Sequence, residues 1–459
     1  MAVKERVRYV AILFAILLAL PLVNISRFAF FENSKYVNDP NNRYTYEETA
    51  LRGRIVDRNF RPLAFVSSGE RRYPLSVAIG PLLGYANPMY GDSGLEAAVR
   101  DNIKGLSVPR TPWEAMLLLD KRDRCGDDMV LTIDSIWQTR AYEALAGYRG
   151  AAVVLDVRTG EILAMASRPS YDPNYAQLRR DWDSLIKDSN APLVERAGQG
   201  MYPPGSVFKP LIMAACLEEG KARIDETFYC QRKIDVGNFV LNCNGEHGKV
   251  TLEEALAYSC NSAFAELGMR LGLDGIRSWM KKFKLDRPMP YVPGSVKAQL
   301  PQGSSPSAPA EAAIGQADIL VSPLNMARLV STLARGGVDM EPRLLRSQVR
   351  EGEKIVWQCP KAEASRVISQ ANAQLVNKAM EEVVLRGTGT ASQIPGMTLA
   401  GKTGSAENPH GSTHAWFIGF TPVQEPRYAV AVILENAGGG GRYAAPVAKN
   451  ILKLAGELQ

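Results

Sequence analysis

An unbroken apolar stretch opens the chain: residues 9–23 carry no charge, the run can extend through Asn24 to Ile25, and Lys4, Arg6 and Arg8 precede it. A run without a polar face has to be buried on all sides, in a core or in a bilayer. At the head of the chain and behind cations it predicts a membrane anchor, near the lower limit of the roughly 17–25 residues that cross a bilayer. No small-x-small cleavage site follows, which favours an uncleaved signal anchor over a removed signal peptide. The positive-inside rule places the cations in the cytoplasm and everything after about residue 26 outside it.

A polar connector rich in Tyr and Asn follows (residues 32–48), and mixed short signals run to about Asp128. Residues 129–134 predict a strand, and residues 135–148 an amphipathic helix with Ile136, Ala141, Leu145 and Tyr148 on its apolar side. Residues 151–156 and 161–166 flank a turn at Arg158-Thr159-Gly160 and predict a hairpin. The middle of the chain reads as mostly helical, interrupted by a Pro/Ser/Gly-rich loop at 300–309. The end reads as a three-strand meander (397–406, 415–420, 428–434) and a closing helix from about Tyr443. Early strands, helices between and late strands predict an α+β domain with one antiparallel sheet.

Composition narrows the class without changing the layout. Of 459 residues 46% are hydrophobic and 22% charged, enough apolar content for large cores in two or three domains. The net charge of +6 is mild and no long basic run interleaves with aromatics, which speaks against nucleic-acid binding. The six cysteines, at 125, 216, 230, 243, 260 and 359, are unevenly spaced. Cys216 lies in the apolar run 211–217 and reads as a small hydrophobe.

Candidate chemistry enters with serine and lysine. Ser-x-x-Lys occurs three times, at Ser184/Lys187, Ser206/Lys209 and Ser278/Lys281, so spacing alone selects none. Only Ser206 follows a helix stop, Pro203-Pro204-Gly205, and precedes the run 211–217; it is predicted to open a buried central helix. Three residues apart, a serine hydroxyl and a lysine amine share one helix face. A partly desolvated lysine beside another cation has a lowered pKa and can act as general base toward the serine, while helix N–H groups favour developing negative charge. The other two pairs read as solvated helix faces. A shortened echo at 292–297, with Ser295 and Lys297 only two apart, reads as a loop.

Ser259-Cys260-Asn261 follows a predicted helix at 251–258 and taken alone reads as a turn. Lys402-Thr403-Gly404 falls on the first strand of the meander between Gly401 and Ser405, and small residues inside a strand cost stability unless something approaches the backbone. A substrate would explain them: Lys402 and Thr403 would meet a carboxylate, and the Ser405 N–H would join that of Ser206 as an oxyanion hole.

These three motifs, with "RGRIVDRNFRPLA" at 52–64, "SGLE" at 93–96, "TGEILAMASRPSYDPN" at 159–174, "YPPGSVFKP" at 202–210, "IGQADILVSPLNMA" at 314–327 and "HAWFIGFTP" at 414–422, closely resemble a class B penicillin-binding protein. That family comprises membrane-anchored D,D-transpeptidases of peptidoglycan synthesis. The resemblance implies an α+β, penicillin-binding-protein/serine β-lactamase-like transpeptidase domain with a five-stranded antiparallel sheet. It implies a division into 1–25, cytoplasmic tip and transmembrane anchor, 26–145, a pedestal resembling the family's dimerisation domain, and 146–459, the transpeptidase domain. In that family Ser206 would be the acylated nucleophile and Lys209 its base. Ser259 would relay a proton to the leaving D-alanine and Asn261 orient the substrate amide. Lys402 would steady the proton network, with Thr403, Gly404 and Ser405 lining the substrate. Catalysis would need no cofactor. The implied partners are stem peptides ending in D-Ala-D-Ala, β-lactams, and a membrane glycosyltransferase of the SEDS family. A β-lactamase or β-lactam sensor of the same fold is the alternative, disfavoured by the anchor and pedestal.

Cys230, Cys243, His247 and Cys260 fall in the pattern Cys-x12-Cys-x3-His-x12-Cys. Three thiolates and an imidazole are the ligand set of a closed structural zinc site, though this spacing is looser than in a zinc finger. Some class B members resemble this arrangement, with a metal next to the Ser-x-Asn motif. A Cys230–Cys243 disulfide and free thiols are the alternatives. If Ser259 and Asn261 face a cleft, Cys260 faces away and ties the loop from behind.

Overall fold

The computed structural model describes residues 3–27, 52–103, 126–236, 239–350, 354–408 and 411–457; the connector expected at 32–48 and Cys125 lie outside them. Helix α1 (Val3–Arg27) carries the first apolar run. Because Lys4, Arg6 and Arg8 occupy its opening turns, the uncharged stretch 9–23 rises only about 22 Å, against roughly 30 Å of bilayer hydrocarbon. Among the described residues no helix is long and apolar enough to cross a membrane. The side chains of Leu13, Phe14, Leu18 and Leu20 on α1 are exposed.

Strands β1 (Ile55–Val56), β2 (Pro62–Ser67) and β3 (Glu70–Arg72) form an antiparallel ribbon, and β4 (Asp128–Leu131) pairs parallel with β1. The strand expected to reach residue 134 stops at Leu131, and Asp134 caps the next helix. Its carboxylate accepts from the N–H of Ile136 (2.9 Å) and Trp137 (3.5 Å) at the start of α2 (Ser135–Ala144). That helix was expected to run to 148 but ends ahead of Gly147, whose φ is +83°. Its inward stripe is Trp137, Ala141 and Leu145, while Ile136, expected inside, is exposed.

The hairpin forms as β5 (Gly150–Asp156) and β6 (Ile162–Arg168), turning at Gly160 with φ +71°. After α3 (Tyr175–Lys187) and α4 (Lys209–Glu218) come four short strands, β7 (Thr227–Cys230), β8 (Lys233–Val236), β9 (Phe239–Asn242) and β10 (Gly248–Thr251). They pair as β7 with β10 and β8 with β9. The helical middle continues as α5 (Leu252–Ala257), α6 (Asn261–Lys282), broken at Gly272, and α7 (Pro323–Ala334). Then follow β11 (Leu345–Arg350), β12 (Lys354–Gln358), α8 (Gln370–Leu385), β13 (Ala400–Ala406), β14 (His414–Thr421), β15 (Tyr428–Leu434) and α9 (Ala444–Leu452).

Two larger sheets result. The mixed one has the order β12-β11-β4-β1-β2-β3, so late strands complete a sheet begun near the start of the chain. The other is the expected five-stranded antiparallel sheet, β13-β14-β15-β5-β6. On one face Val153, Ile418 and Ala431 share a core with Leu211 of α4 and Phe264 of α6. On the other Val154, Phe417 and Val432 meet Trp137 of α2 and Ile451 of α9. Burial on both faces is why β5, β6, β14 and β15 read as largely continuous apolar runs. In the N-terminal part, Glu96 is fully buried and accepts from Arg52 (2.9 Å), Arg71 (2.7 Å) and Tyr73 (3.2 Å).

Candidate active site

The turn carrying Ser206 rests directly on β13. Gly205 has φ +56°, and a Cβ there would lie 2.9 Å from the Ser405 carbonyl. Its N–H donates to the Gly315 carbonyl at 2.9 Å, and the Trp416 indole donates to the Pro203 carbonyl at 3.0 Å. The expected helix start is a 3-10 turn, Gly205–Phe208, followed by α4 from Lys209. Residues three apart eclipse in such a turn, which puts Ser206 and Lys209 on one side. Ser206 is partly exposed and Lys209 is fully buried. The competing pairs differ: Ser184, Lys187, Ser278 and Lys281 are all exposed. Ser184 donates to the Asp181 carbonyl at 2.6 Å. The echo at 292–297 is a loop in which Ser295 Oγ accepts from the Met289 N–H at 2.9 Å.

Ser259 is presented by a sharp reversal between two helices. Helix α5 starts at a capping box, with Thr251 and Glu254 each bonding the other's backbone, and Cys260 N–H donates back to the Ala255 carbonyl at 2.8 Å. Ser259 itself takes a left-handed backbone, φ +58°. From there both buried lysines reach it. Lys209 Nζ donates to the Ser259 carbonyl (2.8 Å), Ser259 Oγ (3.2 Å) and Asn261 Oδ1 (2.7 Å). Lys402 Nζ donates to Ser259 Oγ (3.0 Å) and the Thr403 carbonyl (2.9 Å). These bonds join Lys209, Ser259, Asn261 and Lys402; among the described residues none reaches Ser206 Oγ. Catalytic hydrogen bonds often tighten only once substrate is bound.

Burial lowers the Lys209 pKa to about 7, against a weaker opposing pull from Cys260 and Cys243. Lys402 is pushed well below its ordinary value by burial and then by the charge of Lys209. Two amines that share one hydroxyl out of water do not both stay protonated, so an uncharged amine is available as a base. Cys216, by contrast, is a packing residue: it is fully buried on α4 and its pKa is pushed up to about 12 by that burial.

On β13 the small residues have a geometric reason. A Cβ on Gly404 would meet Val207 Cγ1 at 3.0 Å and the Pro204 carbonyl at 3.1 Å, so a side chain there would press against the Ser206 turn where it lies on the strand. Ser405 is exposed, and its Oγ accepts from the Gly440 N–H at 3.2 Å. A Cβ on Gly440 would lie 2.2 Å from the Gly404 carbonyl. Thr403 Oγ1 lies 2.6 Å from Thr388 Oγ1. Sequence reasoning passed over Thr388 and Gly440, although Gly-Thr-Gly-Thr at 387–390 and four consecutive glycines at 438–441 stand out as small-residue runs.

Behind Ser259 the metal-ligand candidates come together. One potential ligand atom from each of Cys230, Cys243, His247 and Cys260 lies within 4.8 Å of every other. His247 Nδ1 is 3.5 Å from both Cys230 Sγ and Cys243 Sγ, and Cys243 Sγ is 3.9 Å from Cys260 Sγ. Tetrahedral zinc would hold two sulfurs about 3.8 Å apart and a sulfur and a nitrogen about 3.5 Å apart. The residues therefore fit a zinc ion. Cys230, Cys243 and Cys260 are unpaired, so the Cys230–Cys243 disulfide does not form in this structure. The flanking Ser259 carbonyl and Asn261 side chain accept from Lys209, while Cys260 is buried toward Cys243. The Asn261 N–H donates to Cys243 Sγ at 3.1 Å.

A serine beside buried amines, seated against an antiparallel sheet with helices on both faces, defines the class: a serine acyl-transferase of the penicillin-recognising fold. Comparison with known proteins agrees, since the family model described as "Penicillin binding protein transpeptidase domain" matches residues 150–453. The chain belongs to that family. It is 32% identical to the peptidoglycan D,D-transpeptidase PbpA of Mycolicibacterium smegmatis, over 98% of each chain. It superposes on the imipenem acyl-enzyme of penicillin-binding protein A from M. tuberculosis with a TM-score of 0.81 at 30% identity, covering 90% of this chain and 100% of that one. The D,D-transpeptidase domain of a peptidoglycan glycosyltransferase from Eggerthella lenta gives a TM-score of 0.79 at 30% identity, over 90% and 99%.

Proposed function

We propose that this chain is a peptidoglycan D,D-transpeptidase working through an acyl-serine intermediate on Ser206. The observation that carries the reading is the meeting of Lys402 and Lys209, the latter one helical turn after Ser206, on Ser259 Oγ. Lys209, its pKa brought down to about 7, takes the Ser206 proton. Ser206 Oγ attacks the penultimate D-alanine carbonyl of a stem pentapeptide, and the N–H groups of Ser206 and Ser405 receive the oxyanion. Ser259 passes a proton to the departing D-alanine nitrogen, Asn261 orients the substrate amide and Lys402 steadies the proton network. Thr403, Gly404 and Ser405 line the carboxylate end. An amine of a neighbouring stem then takes the acyl group and frees Ser206; water in its place gives a carboxypeptidase side activity. A β-lactam stops the cycle at the acylated serine, as in the imipenem acyl-enzyme of the M. tuberculosis relative.

None of these steps uses a cofactor. We read Cys230, Cys243, His247 and Cys260 as a structural zinc site, in which the ion would act as a cross-link. We read residues 26–145 as the pedestal and 146–459 as the transpeptidase domain. Helix α1 is read as the anchor, with the rest of the chain outside the cytoplasm. This reading of its short apolar run is supported by the apolar side chains exposed along it. A membrane glycosyltransferase of the SEDS family is the proposed partner. A labelled penicillin tests the central reading: it should attach covalently to the wild type and not to Ser206→Ala, and equal labelling would sink the reading. Rapid release of the label would point instead to a β-lactamase.

A further inference from the structure

We propose that Thr388 is a positioning residue that aims the Thr403 hydroxyl at the ligand carboxylate. The inference rests on the reading of β13 just given. Thr388 Oγ1 and Thr403 Oγ1 lie 2.6 Å apart, a distance at which one donates to the other. Among the described residues this is the hydrogen bond that Thr403 Oγ1 makes. Each hydroxyl carries a single proton. If Thr403 donates to Thr388, it turns only lone pairs toward a carboxylate, which can only accept. If Thr388 donates instead, the Thr403 proton is free for the ligand. The chain then runs one way, Thr388 to Thr403 to carboxylate, and each bond polarises the next.

The backbone fixes Thr388 for this role. Its N–H donates to the Ala257 carbonyl at 3.2 Å, two residues before Ser259. A Cβ on Gly387 would lie 2.2 Å from that same carbonyl, and one on Gly441 would lie 2.5 Å from the Thr388 carbonyl. The loop is clamped between the Ser259 reversal and the glycine run beside β13, so it spans the proton-relay and carboxylate ends of the cleft.

Thr388→Val keeps the shape and removes the hydroxyl, whereas Thr388→Ser keeps the hydroxyl. Second-order acylation of Ser206 would be measured with a penicillin bearing its free carboxylate and with the methyl ester of the same compound. Thr388→Val is expected to lose about tenfold with the acid, the scale of one hydrogen bond to a charged group, and nothing with the ester. Thr388→Ser should restore the rate, and Thr388→Val with Thr403→Val should be no slower than Thr403→Val alone. Equal losses of acid and ester in Thr388→Val, or losses that multiply in the double variant, would overturn the proposal. If the wild type prefers the acid, Thr403→Val does not and Thr388→Val still does, the Thr388 proposal alone fails. A wild type with no preference for the acid removes the carboxylate reading and the proposal together.

Discussion

Ser259 holds φ at +58°, a region that serine rarely occupies, and in doing so brings its hydroxyl to two buried amines. The motif Ser259-Cys260-Asn261 was legible as residue types, but the backbone that aims it was not, because nothing local in the sequence favours a left-handed serine. The same holds for Lys402. Its place on a strand could be read from the pattern, whereas its bond to Ser259 Oγ depends on packing a distant helix reversal against that strand. The lysine pKa has a direct kinetic signature. A protonated Lys209 cannot accept the Ser206 proton, and its folded-state value is lowered to about 7. Acylation by a β-lactam should therefore rise with pH and reach half its plateau near pH 7. A profile still rising steeply through pH 9, where an unperturbed lysine begins to titrate, would show that Lys209 is not the base.

At the scale of elements, the cysteine cluster gathers the end of β7, the link that leads from β9 into β10, the ladder partner of β7, and the reversal from α5 to α6. Purified protein should carry close to one zinc per chain, and chelation should lower the melting temperature and slow acylation. Substoichiometric metal by elemental analysis, with acylation untouched by chelator, would end the zinc reading. The glycine run 438–441 makes a second element-level prediction. In Gly440→Ala the added Cβ would lie 2.2 Å from the Gly404 carbonyl and 2.3 Å from that of Trp416, so the run has to lift off β13. A destabilisation of about 1–3 kcal/mol is expected, with slower acylation, both read from a melting curve and penicillin labelling. Wild-type values for both would refute the close approach. Four glycines announce a loop in the sequence. Which strand they must approach is a tertiary fact with no local trace.

For the whole molecule, the two larger sheets separate what could be read from what could not. The five-stranded sheet was legible because four of its strands, β5, β6, β14 and β15, are largely apolar on both faces and all five come in two sequence-local groups, β5–β6 and β13–β15. The mixed sheet was not, because β11, which lies between Ser259 and Lys402 in the chain, returns to pair Leu345 with Leu131. Short strands such as β1, with two residues, carry no periodic signal at all. The "SGLE" segment illustrates the same limit: its motif carries the resemblance but no local sign of burial, and Glu96 is the buried acceptor for Arg52, Arg71 and Tyr73. Glu96→Ala would leave two arginines buried without their shared carboxylate, at a cost of about 3–5 kcal/mol. Chemical denaturation should register that loss, while the folded fraction should still label with penicillin, since the network lies outside the Ser206 cleft. An unchanged unfolding midpoint would contradict the buried network.

Among the described residues strand β13 has a strand neighbour on one side only. Open ladder edges are normally a hazard, since any extended chain can add to them. Here the open edge is the one that carries Lys402, Thr403 and Ser405. A peptide laid along it would be recognised through its own main chain, whose N–H and C=O spacing is the same for every sequence. On the proposed reading the strand would join two kinds of selectivity in one element, strict at the terminal carboxylate and indifferent to side chains along the rest of the peptide.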